Sequence, residues 1–423
     1  MSGSPAERGD IPGRLIIGVN LRAVESNRMK LSVFAHDLAS NPIGRLHPIL
    51  QALERLGHEI EVFGFLISGG EVYLPYRDNY IYTTMPSTGG ILDVLGKSGR
   101  LAAAVSGGVV YAGKPLATTL WPALLASGFG RRRPLWLDVE DDDVWGLGEG
   151  GWWQRIWRHY IRINRWATAA KYGVILHPLT RCCSQVTVSS RKLQRRYGGE
   201  IIRHGPDETF FDPGRPEFAR HQARHVLELP HEPKMVLFAG TPHSHKGFGA
   251  IVDAVVATRD LHLLLCGDGG HPEFLRAQSL LPGRCHQVGF LPNEMMPVLL
   301  TAADIVPILQ RDTEYARAQL PAKLLEALAM ARPIVVSRVG DLPAIIGDGD
   351  ASPRGWCVSP GEPGEVRKAF AEILHSPPEA VERRCKAARQ YFLDECSVSA
   401  NAAKLATLLE RSGAAVPRAD GRR

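Results

Sequence analysis

The strongest constraint on this chain is alternation. Short runs rich in β-branched and aliphatic residues are separated, again and again, by segments with helical spacing. In the first half the strand-like runs are Leu31–Ala35, Ile60–Phe65, Val109–Ala112, Leu135–Val139, Val186–Ser189 and Ile201–His204. Helical patterns lie between them, as at Arg45–Leu56 and Ala117–Ala126. The pattern restarts with Met235–Gly240 and continues through Leu261–Gly267, His286–Phe290, Ile305–Leu309 and Pro333–Arg338. Strands alternating with helices imply parallel sheets covered on both faces. The restart, in a chain of 423 residues, implies an α/β protein of two doubly wound, Rossmann-like domains. The turn-rich segment Asp207–Glu217, with Asp212-Pro213-Gly214 inside it, is the expected boundary. The first domain is thus expected over 14–206 and the second over 207–392. Ligands of such sheets bind beyond the carboxyl ends of the strands, here in the cleft between the domains.

Composition narrows the partners. A net charge of +6 suits an anionic substrate or a membrane surface. No nucleic-acid partner is expected. No run approaches the roughly 20 apolar residues of a membrane span. Met1–Gly13 lacks the apolar core of a signal peptide, and it and the tail after Gly413 read as disordered. Seven cysteines occur without CxxC or Cys/His metal spacing, which predicts reduced thiols and a cytoplasmic protein.

Two segments carry chemistry. In Gln319–Ser337 a proline opens an apolar, Ala/Leu-rich run, Arg332-Pro333 ends it, and a β-branched strand follows. This reads as helix, tight turn and buried strand, with Pro321 at the first helical position. A helix start offers unpaired N–H groups and a positive dipole end to an anion, and Lys323 and Glu326 stand beside it. The second segment, Phe238–Phe248, is a Gly-bearing loop after a strand, with Lys246 near its end. Backbone N–H groups and one ammonium suit a phosphate there; the alternative is a surface loop with a solvated lysine.

Together these segments resemble the retaining glycosyltransferases of GT-B fold, notably family four. Four elements stand in the family's order: the Gly240–Gly247 loop; Leu264-Leu265-Cys266-Gly267-Asp268-Gly269; Val288-Gly289-Phe290-Leu291-Pro292 with Ala302-Ala303-Asp304; and Lys323–Val336. The match runs roughly from Lys234 to Ile346, and is looser in the first half, at Asn41–Arg45 and Leu56–Glu59. The resemblance implies a donor site of Gly240, Lys246, Gly267, Val288, Lys323, Leu325 and Glu326, with Lys246 on the pyrophosphate and Glu326 on the ribose. It also exposes two departures. Thr241 stands where the family has a pyrophosphate-binding arginine, so His243, His245 or Arg317 would have to supply the missing charge. Ala318 stands where a sugar-supporting glutamate is usual, which leaves Gln319 or Arg317 to contact the sugar. The last helix, about 393–411, is implied to pack back on the first domain.

In the first half, Gly44 matches the family's glycine loop facing the donor phosphates, with Arg45 beside it; the alternative is a helix-start glycine and a solvated arginine. Lys114 ends a strand toward the cleft, or is a surface lysine. In Asp138-Val139-Glu140-Asp141-Asp142-Asp143, Asp141 takes the neighbourhood where the family often has a histidine near the reacting sugar. A metal on this acidic run is rejected, since the enzymes resembled bind their donors without one; a solvated acidic loop capping a helix is the bland alternative. Along Trp152–Ala167, aromatic and aliphatic residues share one helical face and Arg155, Arg158, Arg162 and Arg165 the other. That is the pattern of an interfacial helix, and equally of one packing on its own sheet.

The resemblance therefore implies a metal-independent enzyme without cofactor. It would move a sugar, with retention, from a UDP- or GDP-sugar to a hydroxyl acceptor, lipid-linked or a polysaccharide precursor. Asp141, Lys246 and Lys114 are the expected catalytic residues, and a peripheral contact with the inner membrane face is admitted. A nucleotide-sugar epimerase and a non-catalytic nucleotide-sugar-binding protein are the alternatives.

Overall fold

The computed structural model describes residues 28–41, 43–143 and 166–411. The Trp152–Ala167 pattern lies outside the described residues, except for Trp166 and Ala167.

The first sheet has seven strands: β1 Lys30–Asp37, β2 Glu59–Leu66, β3 Ile81–Pro86, β4 Val109–Ala112, β5 Leu135–Val139, β6 Gln185–Val188 and β7 Glu200–Ile201. Their order is β3-β2-β1-β4-β5-β6-β7, all parallel. β4 and β5 are buried along their whole length, as strands covered on both faces must be. The second sheet is built from β8 Lys234–Ala239, β9 Leu261–Cys266, β10 Cys285–Gln287, β11 Val306–Ile308, β12 Ile334–Ser337 and β13 Trp356–Val358. It runs β10-β9-β8 and β11-β12-β13, joined by a parallel bridge between Val236 and Ile305. In each sheet the strand order reverses beside the first strand, between β1 and β4 and between β8 and β11. A crevice opens at such a reversal, beyond the carboxyl ends of the strands.

β3 and β13 were not expected from the sequence. β3 is an edge strand with few buried positions and a terminal proline, and β13 is only three residues long. Both lack the apolar run that marks an inner strand. The Pro321 helix also differs in detail. Pro321 is its N-cap residue, with extended backbone, and the helix itself is Ala322–Ala329.

The two halves are tied directly. Ser190 Oγ donates to the Ala318 carbonyl (2.7 Å), Arg191 N–H to Asp341 Oδ2 (3.0 Å), and Lys192 Nζ to Glu314 Oε2 (2.6 Å). Ala318 packs into the apolar cluster of the first sheet. The chain then returns through the Pro378–Glu395 helix to the Val398–Arg411 helix. Val398, Ala402, Leu405, Leu408 and Leu409 of the latter join the first sheet's other core cluster, against the Ile43–Arg55 helix. All seven cysteines are free thiols, and Cys266, Cys385 and Cys396 are buried.

Candidate active site

On the first-sheet side, three strand ends converge. β1 leads into the Ile43–Arg55 helix, which places Gly44 and Arg45 in its first turn. A Cβ on Gly44 would meet Asn41 Oδ1 at 2.6 Å and Tyr76 Oη at 3.0 Å, so a larger residue here would have to push those side-chain ends aside. β4 ends at Ala112 and presents Lys114 after one glycine. β5 ends in the acidic run, which is buried rather than solvated. Each carboxylate there has its own partner. Thr187 Oγ1 donates to Asp138 (2.5 Å), Arg45 to Asp141, Arg196 to both oxygens of Asp142 (2.8 and 2.7 Å), and Lys114 Nζ to Asp143 (2.8 Å). Lys114 also stands 3.9 Å from Asp141 Oδ2. His204 Nε2 is 3.0 Å from Glu140 Oε1. Asp141 Oδ1 is buried and has no hydrogen-bond partner.

Burial sets the proton positions. It pushes the Glu140 carboxyl up to about 8, against the pull of Arg45 and Lys114. It pushes His204 down, with Arg45 and Lys114 adding to the effect. Burial thus favours the uncharged form of each group. Asp138 is raised by burial to about 7. Burial alone would lower the Lys114 ammonium, but Asp143 and Asp141 outweigh it and the group is raised. His36, on Thr118 Oγ1 at 2.7 Å, is lowered by burial, then by Lys114, to about 4.

The second sheet supplies the facing wall. After β8, Gly240 takes φ +110° and Gly247 φ +60°, and the turn Ser244–Lys246 lies between them. Thr241 is exposed. At the end of β9, Gly267 at φ +147° donates its N–H to the Gly289 carbonyl (2.8 Å), and a Cβ on it would come 3.2 Å from the Gly240 carbonyl. Val288, after β10, is half-buried. Lys323 Nζ donates to Glu326 Oε2 (2.7 Å) and Oε1 (2.9 Å) at the start of the Ala322–Ala329 helix, an end that no side chain caps. Lys246 is lowered by burial, then by the charges of Arg45 and Lys323. Three cations from three separate segments thus lie within electrostatic reach of one another. Among the described residues Lys246 has no ion-pair partner. A half-buried ammonium without a counter-ion, beside an uncapped helix start, is an arrangement completed by an anion.

The residues singled out from the sequence do not all gather here. Gly240, Lys246, Gly267, Lys323 and Glu326 form one wall, and Gly44, Arg45, Lys114 and Asp141 the other. Arg317 is exposed and held by Asp312 (2.6 and 2.8 Å) and Glu314 (3.2 Å). Leu325 is fully buried in the core, so only its backbone faces the helix start. Gln319 accepts from Gln310 Nε2 (3.0 Å) and donates to Tyr315 Oη (3.2 Å). Tyr315 was not singled out, yet its phenol is raised by burial and then by Asp141 of the opposite wall. The Glu140–His204 pair, Arg196 and Gln310 were also missed. The partners of Glu140 and Arg196 are distant in sequence, Gln310 meets Gln319 nine positions on, and no spacing announces any of them.

Two Rossmann-type sheets with facing switch points and a cation-lined cleft define a GT-B architecture. Comparison with known structures agrees. Anabaena Alr3699/HepE in complex with UDP-glucose superposes with a TM-score of 0.68 at 17% identity, covering 91% of this chain and 100% of that one. A glycosyltransferase from Rickettsia africae gives 0.66 at 16% identity, covering 91% and 99%. Residues 233–376 match the family described as Glycosyl transferases group 1. The 2-deoxystreptamine glucosyltransferase of Streptomyces kanamyceticus is 28% identical over 247 residues, covering 56% of this chain and 59% of that protein. A D-inositol 3-phosphate glycosyltransferase of Corynebacterium diphtheriae is 25% identical over 346 residues, covering 71% and 78%. The alignments with the first three curated relatives span 59–66% of their length. The match to the group 1 glycosyltransferases thus lies on the half of the chain that holds the second sheet. Among the described residues no helix is long and apolar enough to cross a membrane.

Proposed function

We propose that this protein transfers a sugar from a nucleotide-sugar donor to a hydroxyl acceptor, with retention at the anomeric carbon. The observation that carries the reading is the half-buried Lys246 ammonium, which has no ion-pair partner among the described residues and lies within electrostatic reach of Arg45 and Lys323. The leaving nucleoside diphosphate is the largest charge that develops in such a step, and preorganised cations and helix N–H groups stabilise it. Lys246 and the start of the Ala322–Ala329 helix bind the diphosphate; Glu326, oriented by Lys323, takes the ribose. The reading divides the chain into an acceptor-side domain, 14–206, and a donor-binding domain, 207–392.

Asp141 faces the sugar or acceptor through Oδ1, the oxygen that Arg45 and Lys114 leave unpaired. Gln319, fixed by Gln310 and Tyr315, takes the place of the missing glutamate. No carboxylate is assigned as a nucleophile. No metal is assigned either, because the acidic run is already engaged by Thr187, Arg45, Arg196 and Lys114. The names of two relatives, 2-deoxystreptamine glucosyltransferase and D-inositol 3-phosphate glycosyltransferase, support a small hydroxylated ring as acceptor.

A thermal-shift screen with UDP, GDP and their sugars tests the donor site. A ligand at about a hundred times its Kd adds roughly 2.7 kcal/mol. Lys246→Ala is expected to abolish most of that shift; a full shift in the variant removes the phosphate assignment. Epimerised product from a nucleotide sugar without acceptor would replace the transferase with an isomerase. A peripheral membrane contact through Trp152–Ala167 rests on the sequence pattern alone: of its two described residues, Trp166 is bridged to Gly90 and Ala167 is buried in the first-sheet core. Flotation with anionic vesicles tests it, and protein left at the bottom of the gradient would sink the idea.

A further inference from the structure

Behind the loop that carries Lys246 lies a crevice of ≈ 480 Å³. Its walls are the outer side of that loop, the start of the Phe248–Val256 helix, and the ends of β11, β12 and β13. The volume falls within the range of small-ligand sites, about 300–1,000 Å³. Of the residues given a role above, only Gln310, which holds Gln319, lines it.

Two buried polar groups at its edge have capacity to spare. Gln310 is 4% exposed, and its amide is anchored at one end only, through Nε2 on Gln319. Its Oε1 has no partner. Turning the amide over only exchanges which end is left unpaired. Ser337 Oγ accepts the Gln310 backbone N–H (2.7 Å), which leaves its own hydroxyl proton to give. A buried amide end without a partner is unfavourable until something bonds to it. The rim carries Asp253, Glu273 and Glu362 against Arg311. That balance repels a phosphate and admits a neutral or amine-bearing ligand.

We infer that this crevice is a carbohydrate subsite, distinct from the diphosphate site on the other side of the loop. It takes a single sugar or cyclitol ring, whose hydroxyls bond to the Gln310 amide and Ser337. The choice of ligand class rests on the reading of the protein as a sugar transferase; the site itself rests on the cavity and its unpaired amide.

Gly249 supplies the test. It lines the crevice from the first turn of a helix, and a Cβ on it meets nothing within 4 Å, so a large side chain fills the space without moving the backbone. The probes are D-glucose, D-glucosamine and myo-inositol, observed by saturation-transfer difference NMR on the full chain with UDP present at saturation. At least one is expected to give signals that UDP does not displace. Gly249→Trp is expected to erase them with the UDP thermal shift unchanged, and Gln310→Met to weaken binding about tenfold. Absence of signal from all three probes, displacement by UDP, or full binding to Gly249→Trp overturns the subsite. Binding that survives alongside missing UDP and GDP shifts overturns the donor reading instead and leaves the crevice assigned.

Discussion

At the scale of single residues, the acidic run after β5 shows how little charge composition says by itself. Five carboxylates in six positions read as a solvated loop or a metal site. In the fold each meets a different partner, and the five partners come from five other segments. Lys246 and Glu326 could be singled out because each sits in a local motif whose geometry a sequence can state. His204 was not, because its role comes from lying against Glu140 across the sheet. That pair makes a testable prediction about pH. Glu140 is raised above its ordinary 4.5 to about 8, so the folded state holds its proton more tightly. Its contribution is complete below pH 4.5 and is lost as pH rises toward 8. His204, lowered from 6.5, works the other way, and its contribution grows as pH rises to 6.5. The two offset each other between 4.5 and 6.5, and only the loss continues above. Glu140→Gln removes the falling limb. Urea unfolding between about pH 6.5 and 8 is expected to show stability declining less steeply in the variant, by up to about 1.4 kcal/mol per pH unit. Equal slopes would mean that Glu140 is ionised in the native protein.

At the scale of elements, the inner strands were visible and the edges were not. β1, β4, β5, β8 and β9 are apolar on both faces, and that continuity is what a sequence displays. Helix ends were less legible. The Ala322–Ala329 helix stops before Arg332-Pro333 by a reversal at Ala331, whose φ is +50°. Arg332 N–H bonds back to the Ala327 carbonyl (3.0 Å) and Ala331 N–H to Leu328 (3.1 Å), the paired bonds of a Schellman ending. That ending favours glycine, because a Cβ in the left-handed region clashes with the following carbonyl. Alanine there leaves strain that the rest of the fold offsets. Ala331→Gly is expected to stabilise the protein by about 0.5–1 kcal/mol, the relief of strain less the added freedom of the unfolded chain. Chemical denaturation reads this directly, and destabilisation by the variant would show that Ala331 packs better than its backbone suffers.

At the scale of the whole molecule, the cleft depends on contacts that neither half makes alone. Ser190, Arg191 and Lys192 at the head of one helix reach Ala318, Asp341 and Glu314 in the other half. Arg389 of the Pro378–Glu395 helix donates to the Phe211 (2.6 Å) and Ala329 (2.7 Å) carbonyls, pinning the crossover beside the Ala322–Ala329 helix. From there the chain runs straight into the Val398–Arg411 helix, whose first N–H is taken by Glu208 Oε2 (3.0 Å). Glu208 also accepts from Arg55 of the Ile43–Arg55 helix, the same helix whose first turn carries Arg45 into the cleft. The last helix therefore holds the far end of the element that positions a cleft cation. Leu405, fully buried in that interface, is the residue to remove. Leu405→Ala is expected to cost about 2–5 kcal/mol, the usual range for a buried leucine. Because the Ile43–Arg55 helix loses its backing, UDP affinity should fall as well, under conditions where the variant is still folded. Unfolding curves and UDP titration of the same preparation separate the two effects. Lost stability with unchanged UDP affinity would mean that Arg45 is positioned by Asp141 alone, and that the returning helix serves the core without reaching the cleft.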